Sequence, residues 1–406
     1  MRFSSRTAWD LAETRLARGL RERRAAGLEV LDLTASNPTQ CAFAYDEAGI
    51  LAALGDRASL TYDPDPRGMR FAREAVCRYY AERSAQVEPE QVFLTTGTSE
   101  GYGWLFRLLC DAGEEVLIAA PGYPLFDFLA QIEDVRLVPY PLVYDHGWQI
   151  DFDGLRERIT ARTKAIAVVH PNNPTGHYTK DAERRELERI CAECGLALIV
   201  DEVFLDSCAE GEPPLRGHAD GAEWSSFAVG EHPCLTFVLS GISKIAALPQ
   251  MKAAWIVAFG PQEEQHVALA RLEVVADTFL SMNAPIQCAL PAWLAGCGAI
   301  QEQIRARTQT NLRNLDQILL RFPAVTRLEV EAGWYAVLRV PALGNDEDLA
   351  VRLLEERGVY VHPGSFFGFA GEGWLVVSLL TMEEEFRCGV ERVCEDCGEA
   401  EQREQD

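Results

Sequence analysis

Apolar and polar positions along this chain fall into two different rhythms. Between residues 92 and 260, short apolar runs alternate with stretches of helical spacing. The runs at 92–96, 116–120, 136–140, 165–170, 197–203, 236–239 and 254–259 are nearly continuous rather than alternating, which predicts strands buried on both faces. Helical spacing separates most of them, as at 99–110 and 179–194. A series of this kind predicts an α/β unit with a mainly parallel sheet of about seven strands, covered by helices.

The flanks read differently. Apolar positions at helical spacing among arginines predict a helix over 7–26, stopped at Gly27, and a short strand at 30–33 follows. The Pro/Asp/Gly cluster at 61–68 must be loop, and a helix is predicted over 69–83. Beyond 260, helices are predicted at 262–282, after Pro285 and at 300–321, then strands at 326–340, 358–362 and 374–380 with helices near 346–357 and 382–398. That is a smaller α+β unit. The predicted organisation is a large domain at 46–285 and a small domain built from 1–45 and 286–406, with the last dozen residues frayed.

Composition narrows the function. The 406 residues are 48% hydrophobic and 25% charged, ordinary for a globular chain with a large core. Sixty-two acidic against 38 basic side chains give a net charge of −24. Such a surface repels phosphate backbones and anionic lipid, so neither nucleic acid nor membrane is an expected partner. No apolar run approaches the roughly 18 residues that span a bilayer. Twelve irregularly spaced cysteines and an Arg-rich, h-region-free start predict reduced thiols in a cytoplasmic protein. The C-x-x-C pairs Cys191/Cys194 and Cys394/Cys397 both fall in helical patterns, so no metal site is expected.

The chemistry gathers where strands end. Gly97, Thr98 and Ser99 follow the first run and open a helix, an arrangement that suits an anion, although any such turn also caps its helix. Tyr123 lies in a Pro-Gly-Tyr-Pro turn after the second run, and Asn173 in an Asn-Asn-Pro-Thr-Gly turn after the fourth. Asp201 closes the fifth run, where a carboxylate among apolar residues needs a positive or proton-donating partner. Lys244 follows the sixth, and a lysine there either snorkels to solvent or is kept as a neutral amine for imine chemistry. Carboxyl ends of successive strands are where open α/β sheets bind ligands. A lysine, a carboxylate and a phosphate cradle together are the set that pyridoxal phosphate requires.

At these residues the chain resembles the fold-type I pyridoxal-phosphate enzymes of the class I/II aminotransferase family, over nearly its whole length. The most specific matches are N-N-P-T-G at 172–176, D-E-V at 201–203, and S-K at 243–244 followed by L-P at 248–249. Y-D-P-D-P-R-G at 62–68 and P-G-Y at 121–123 support them. The resemblance implies a cofactor imine on Lys244 that serves an aminotransferase, moving an amino group from an amino donor to a keto acceptor. It further implies that Asp201 protonates the ring nitrogen, Asn173 bonds the phenolic oxygen, Tyr123 stacks on the ring, and Gly97, Thr98 and Ser99 cradle the phosphate beside Ser243. Tyr62 resembles the tyrosine that family dimers lend to the neighbouring phosphate, which implies a homodimer with shared sites.

Four positions depart from the family pattern. Phe204 stands for a tyrosine and lacks its hydroxyl; Gly241 stands for a serine. Lys252 stands for a phosphate-binding arginine and lacks the bidentate fork. Val376 occupies the strand position of the arginine that clamps the substrate carboxylate, and no arginine lies between 358 and 386. Asn37, in the turn at 34–39, and Arg67 are the candidates for touching substrate. The missing clamp leaves a lyase (β-elimination or decarboxylation) or an amine-specific transaminase open beside the standard reaction. A cofactor-binding regulatory module is the non-enzymatic alternative.

Overall fold

A computed structural model describes residues 3–124, 126–207, 225–280 and 282–405, with side chains of the final helix described to Glu399. Its main sheet has eight strands: β1 Val92–Thr95, β2 Glu115–Ala120, β3 Arg136–Tyr144, β4 Trp148–Ile150, β5 Thr163–Val169, β6 Ala197–Asp201, β7 Thr236–Gly241 and β8 Ala254–Phe259. Their order across the sheet is β1-β8-β7-β6-β5-β2-β3-β4. β7, β6, β5, β2 and β3 are mutually parallel, while β8 runs antiparallel to both its neighbours. Two reversals return β1 to the common direction, so the carboxyl ends of β1, β2, β5, β6 and β7 share one edge.

Alternate residues explain the lack of an alternating pattern. Leu198, Val200 and Val238 belong to one core, and Ala197, Ile199, Phe237 and Leu239 to another on the opposite face. Both faces are dry, so the middle of each of these strands is apolar on both sides. All seven expected strands are present. The additional one, β4, is a three-residue return onto β3, too short to show a period, with Gly147 at φ 135° in its turn.

A second core unites both ends of the chain. Leu31–Asp32 pairs in parallel with Val359–Tyr360, and Leu16, Leu31 and Leu33 pack with residues of the C-terminal unit such as Leu338, Val377 and Phe386. The smaller sheet comprises β9 Thr326–Arg327, β10 Tyr335–Arg339, β11 His362–Pro363 and β12 Trp374–Ser378, in the order β9-β10-β12-β11. The first helix is shorter than expected, Arg15–Ala25. The Thr14 hydroxyl caps it at the Ala17 amide, and Leu11 before it is exposed and packs on nothing that would extend the helix. The last helix is longer than expected, Glu383–Gln405, where Arg357 holds Glu399 at 2.7 Å. Among the described residues every cysteine is a free thiol, and no helix is long and apolar enough to cross a membrane.

Candidate active site

Five turns converge on the shared strand edge. After β1, Gly97 caps the helix Thr98–Leu109 without any side-chain cap, so the first amides of that helix have no partner within it. A Cβ at Gly97 would meet nothing within 4 Å, which leaves the turn open above those amides. The Glu100 carboxylate holds the turn's shape by accepting from the Thr96 amide at 2.7 Å and its hydroxyl at 3.0 Å. Free amides at a helix start suit an anion such as phosphate.

At the end of β6, sequence alternation sends two carboxylates to opposite faces. Glu202 is consumed structurally, accepting from the Ser226 hydroxyl at 2.8 Å and the Phe227 amide at 2.6 Å. Asp201 shares its face with Ile199 and looks towards the Thr98–Leu109 helix. Burial pushes its carboxyl up to about 6, against the opposing pull of the Val203 amide, the Tyr102 hydroxyl and the Lys244 charge. The Val203 bond is 3.1 Å. Tyr102 stands beside Asp201 with its buried hydroxyl outside hydrogen-bond geometry.

Lys244 sits in the short helix Ile242–Ile245 directly after β7. Its ammonium lies 4.7 Å from the Trp334 ring centre and 5.4 Å from that of Phe204. Burial lowers it from 10.5 to about 8, with Asp201 and then Cys41 pulling the other way. Lysine and aspartate therefore stand at the ends of adjacent parallel strands, each the other's charge partner. Beside them Gly241 is obligatory in this packing: a Cβ there would lie 2.8 Å from the Ala254 Cβ and 2.9 Å from the Ala253 carbonyl. A serine cannot enter without shifting β8. Ser243 is half-buried, and Lys252 is exposed at φ 55°, without an ion pair among the described residues.

Asn173 is nearly buried, and its side-chain oxygen has no partner among the described residues. Its turn is pinned through Asn172, which bonds the Thr175 hydroxyl at 2.8 Å and the Pro121 carbonyl at 3.2 Å. A flip of that amide exchanges its oxygen for an N–H, so the side chain can present a donor to a polar ring substituent. Tyr123 remains 40% exposed, edge-on to Phe126. Phe204 is buried between Lys244 and Trp334. These donors fit pyridoxal phosphate: an anion cup, an open amide, a carboxylate, a free aromatic face and an amine of lowered basicity.

Other expected residues have different surroundings. Both Nε and Nη2 of Arg67 bond Glu273, at 2.9 and 2.6 Å, and its third nitrogen donates to the Glu90 carbonyl. The Asn37 side chain accepts from the Thr39 amide and hydroxyl. Tyr62 is 78% exposed. Val376 is fully buried in β12, opposite Val337 and His362. Tyr102, Trp334, Tyr335 and Cys41 lie at the site without having been singled out from the sequence. The Gly-Trp-Tyr step opening β10 and the spacing of Tyr102 one turn after Thr98 were the available signals.

Known proteins place this geometry. Glutamate-pyruvate aminotransferase AlaA of Haemophilus influenzae is 25% identical over 361 residues, 87% of each chain. Arginine–pyruvate transaminase AruH of Pseudomonas aeruginosa is 27% identical over 95% of this chain and 93% of its own. The solved alanine aminotransferase of Pyrococcus furiosus superposes with a TM-score of 0.86 at 23% identity, over 98% of this chain and 100% of that one. A Thermus thermophilus aspartate aminotransferase mutant gives 0.81 at 26%, over 97% and 100%. Residues 29–393 match the family described as aminotransferase class I and II. This chain belongs to that family of pyridoxal-phosphate-dependent aminotransferases.

Proposed function

We propose that this enzyme transfers the amino group of an α-amino acid to pyruvate, working as a cytoplasmic homodimer with Lys244 and Asp201 as its catalytic pair. The observation that carries the chemistry is their placement at neighbouring strand ends, with Asp201 buried and the Lys244 amine lowered towards the neutral form that imine chemistry needs. Pyruvate as acceptor rests on the relatives, named for glutamate–pyruvate, alanine and arginine–pyruvate transfer.

When bound, the cofactor supplies an electron sink for the donor's Cα–H bond pair. The protein's own part is positioning and proton handling. Lys244 Nζ, a stronger candidate base at neutral pH than an exposed lysine, takes the proton from the donor's Cα. Asp201 keeps a proton on the ring nitrogen, and burial strengthens that pairing. Gly97, Thr98 and Ser99 offer amides to the phosphate, with Ser243 and Lys252 close in sequence to the lysine. Asn173 donates an amide N–H to the ring oxygen, and Tyr123 covers one face.

The dimer reading is supported by the apolar loop around Tyr62. Leu60, Tyr62 and Leu280 are 83%, 78% and 67% exposed, a cluster that asks for a cover. A second copy would bring Tyr62 to its neighbour's phosphate. Sedimentation should report a dimer; a fully active monomer contradicts the shared site.

The reaction is tested by incubating the loaded enzyme with pyruvate and a panel of amino donors. Alanine should form in step with the donor's 2-oxo acid, without ammonia. Ammonia release with no alanine would show a lyase instead.

A further inference from the structure

Val376 leaves the family's carboxylate clamp unfilled, and the surrounding geometry shows what stands in that space. In the antiparallel pair β10–β12, Tyr335 lies opposite Ser378 and Val337 opposite Val376. Side chains alternate along a strand, so Tyr335, Val337, Val376 and Ser378 share one face. That face belongs to the core beneath Lys244, since Val376 and Tyr335 pack there with Trp334, Phe367 and Cys41. The residues between, Leu375 and Val377, face the other core. Tyr335 thus occupies the wall from which a clamp would reach.

Two further contacts bring polar groups to its hydroxyl. Ser378 donates its amide to the Leu33 carbonyl at 2.6 Å and its hydroxyl to the Ala35 carbonyl, laying residues 33–36 across the strand end beside Tyr335. From the opposite side the Gly122 amide bonds the Phe367 carbonyl at 2.9 Å, and the Phe367 ring lies 6.4 Å from that of Tyr335. This sets Tyr123 on the other flank. Burial raises the Tyr335 hydroxyl to about 12, against the opposing pull of the nearby Ser36 side chain, with Tyr123 and Cys41 as its other neighbours. It therefore stays protonated, a neutral donor, throughout the working range.

Nearby guanidinium groups each have part of their fork committed to other partners. Arg307, which faces Cys41, donates to the Cys41 and Leu380 carbonyls. Arg305, which lines a cavity with Lys244, gives Nη1 to Glu302 at 2.7 Å and keeps a buried Nε without a partner among the described residues; Arg67 pairs with Glu273.

We propose that Tyr335, assisted by Ser36, is the residue that binds the substrate's carboxylate, a neutral hydroxyl on the wall where the family carries an arginine. The inference rests on the aminotransferase reading and names the substrate contact within that site. A single hydrogen bond to a charged acceptor corresponds to about ten- to a hundredfold in affinity. Selection for a carboxylate is correspondingly weaker than a bidentate guanidinium would impose.

The test uses the cofactor-loaded protein and two readouts. Propanoate, which resembles alanine but cannot react, is titrated by the change in visible absorbance; the half-reaction with L-alanine is followed at varied concentration. Tyr335→Phe should weaken propanoate binding and raise KM for L-alanine by about tenfold, leaving kcat within about twofold. Ser36→Ala, at an exposed position, should move both constants the same way by less. An unchanged propanoate affinity in Tyr335→Phe overturns the assignment, as does a fall in kcat that matches the rise in KM. If the unaltered enzyme converts no amino acid, the aminotransferase reading fails, while the propanoate titration still decides the role of Tyr335.

Discussion

Lys244→Ala should turn over at least about a thousandfold more slowly than the unaltered enzyme while remaining folded. A positioned base alone contributes about 10²–10⁴ in rate, and this substitution also removes the amine that holds the cofactor. Folding should survive because the ammonium is poorly accommodated where it sits: burial, not a partner, dominates its shift to about 8. Removing such a group relieves desolvation rather than breaking a structural bond. Stopped-flow measurement of the half-reaction, with circular dichroism as the control for folding, checks both halves. The same burial sets a pH dependence. The amine must be neutral to take up the cofactor, so uptake should rise with pH and reach half its maximum near 8. An ordinary lysine would place that midpoint near 10.4. Residual turnover within tenfold of the starting enzyme would contradict the assignment of the base.

The second large effect concerns Asp201. Asp201→Asn preserves shape and removes the charge that holds a proton on the ring nitrogen. Breaking one side of a buried charge pair costs about 3–5 kcal/mol, so turnover should fall by about 10²–10⁴. The sign of the pH effect follows from the raised carboxyl. In the unloaded protein, with Lys244 as its cationic neighbour, Asp201 is ionised only above about 6; as pH falls through that value, the protein loses the negative charge that recruits the cofactor. Cofactor affinity should therefore drop on the acid side in the parent protein. In Asp201→Asn it should be low throughout and lack that acid limb. Fluorescence titration of the cofactor from pH 5 to 8 distinguishes the two. Equal acid limbs in both proteins would assign the titration to another group.

How much of this was legible in the sequence follows from which features are local. The central strands announce themselves because both faces are buried, so each is a nearly unbroken apolar run, whereas β3, towards the edge, is only partly covered. β4 does not announce itself, since three residues on an edge carry no pattern. Lys244, Asp201, Asn173, Tyr123 and the Gly97 turn could be singled out because each directly follows such a run. Their convergence at one edge is a property of the sheet order, which periodicity alone leaves open. Tyr335, Trp334, Tyr102 and Cys41 were invisible for the converse reason. They meet the site through pairing between distant strands and through helix packing, and their residue types are equally at home in any core. Arg67 and Asn37 show the limit from the other side. A loop arginine looks available until Glu273, more than 200 residues away, is placed against it, and Asn37 is occupied by its own turn.

Gly241 and Lys252 carry a related lesson. At Gly241 the close approach of Ala254 excludes the serine hydroxyl from the cofactor's surroundings. The exposed ammonium of Lys252 supplies charge without the geometry of a guanidinium. In the proposed site, phosphate binding would lean on the backbone amides at the start of the Thr98–Leu109 helix, which no side-chain substitution removes.

The central claim is that the cofactor is held covalently by Lys244, and one measurement addresses it directly. Borohydride reduction of the loaded protein, followed by proteolysis and mass spectrometry, fixes any imine in place as a stable secondary amine. The expected result is a single modified peptide whose added mass maps to Lys244. A modified peptide carrying Lys252 or another lysine, with Lys244 unmodified, would contradict the claim.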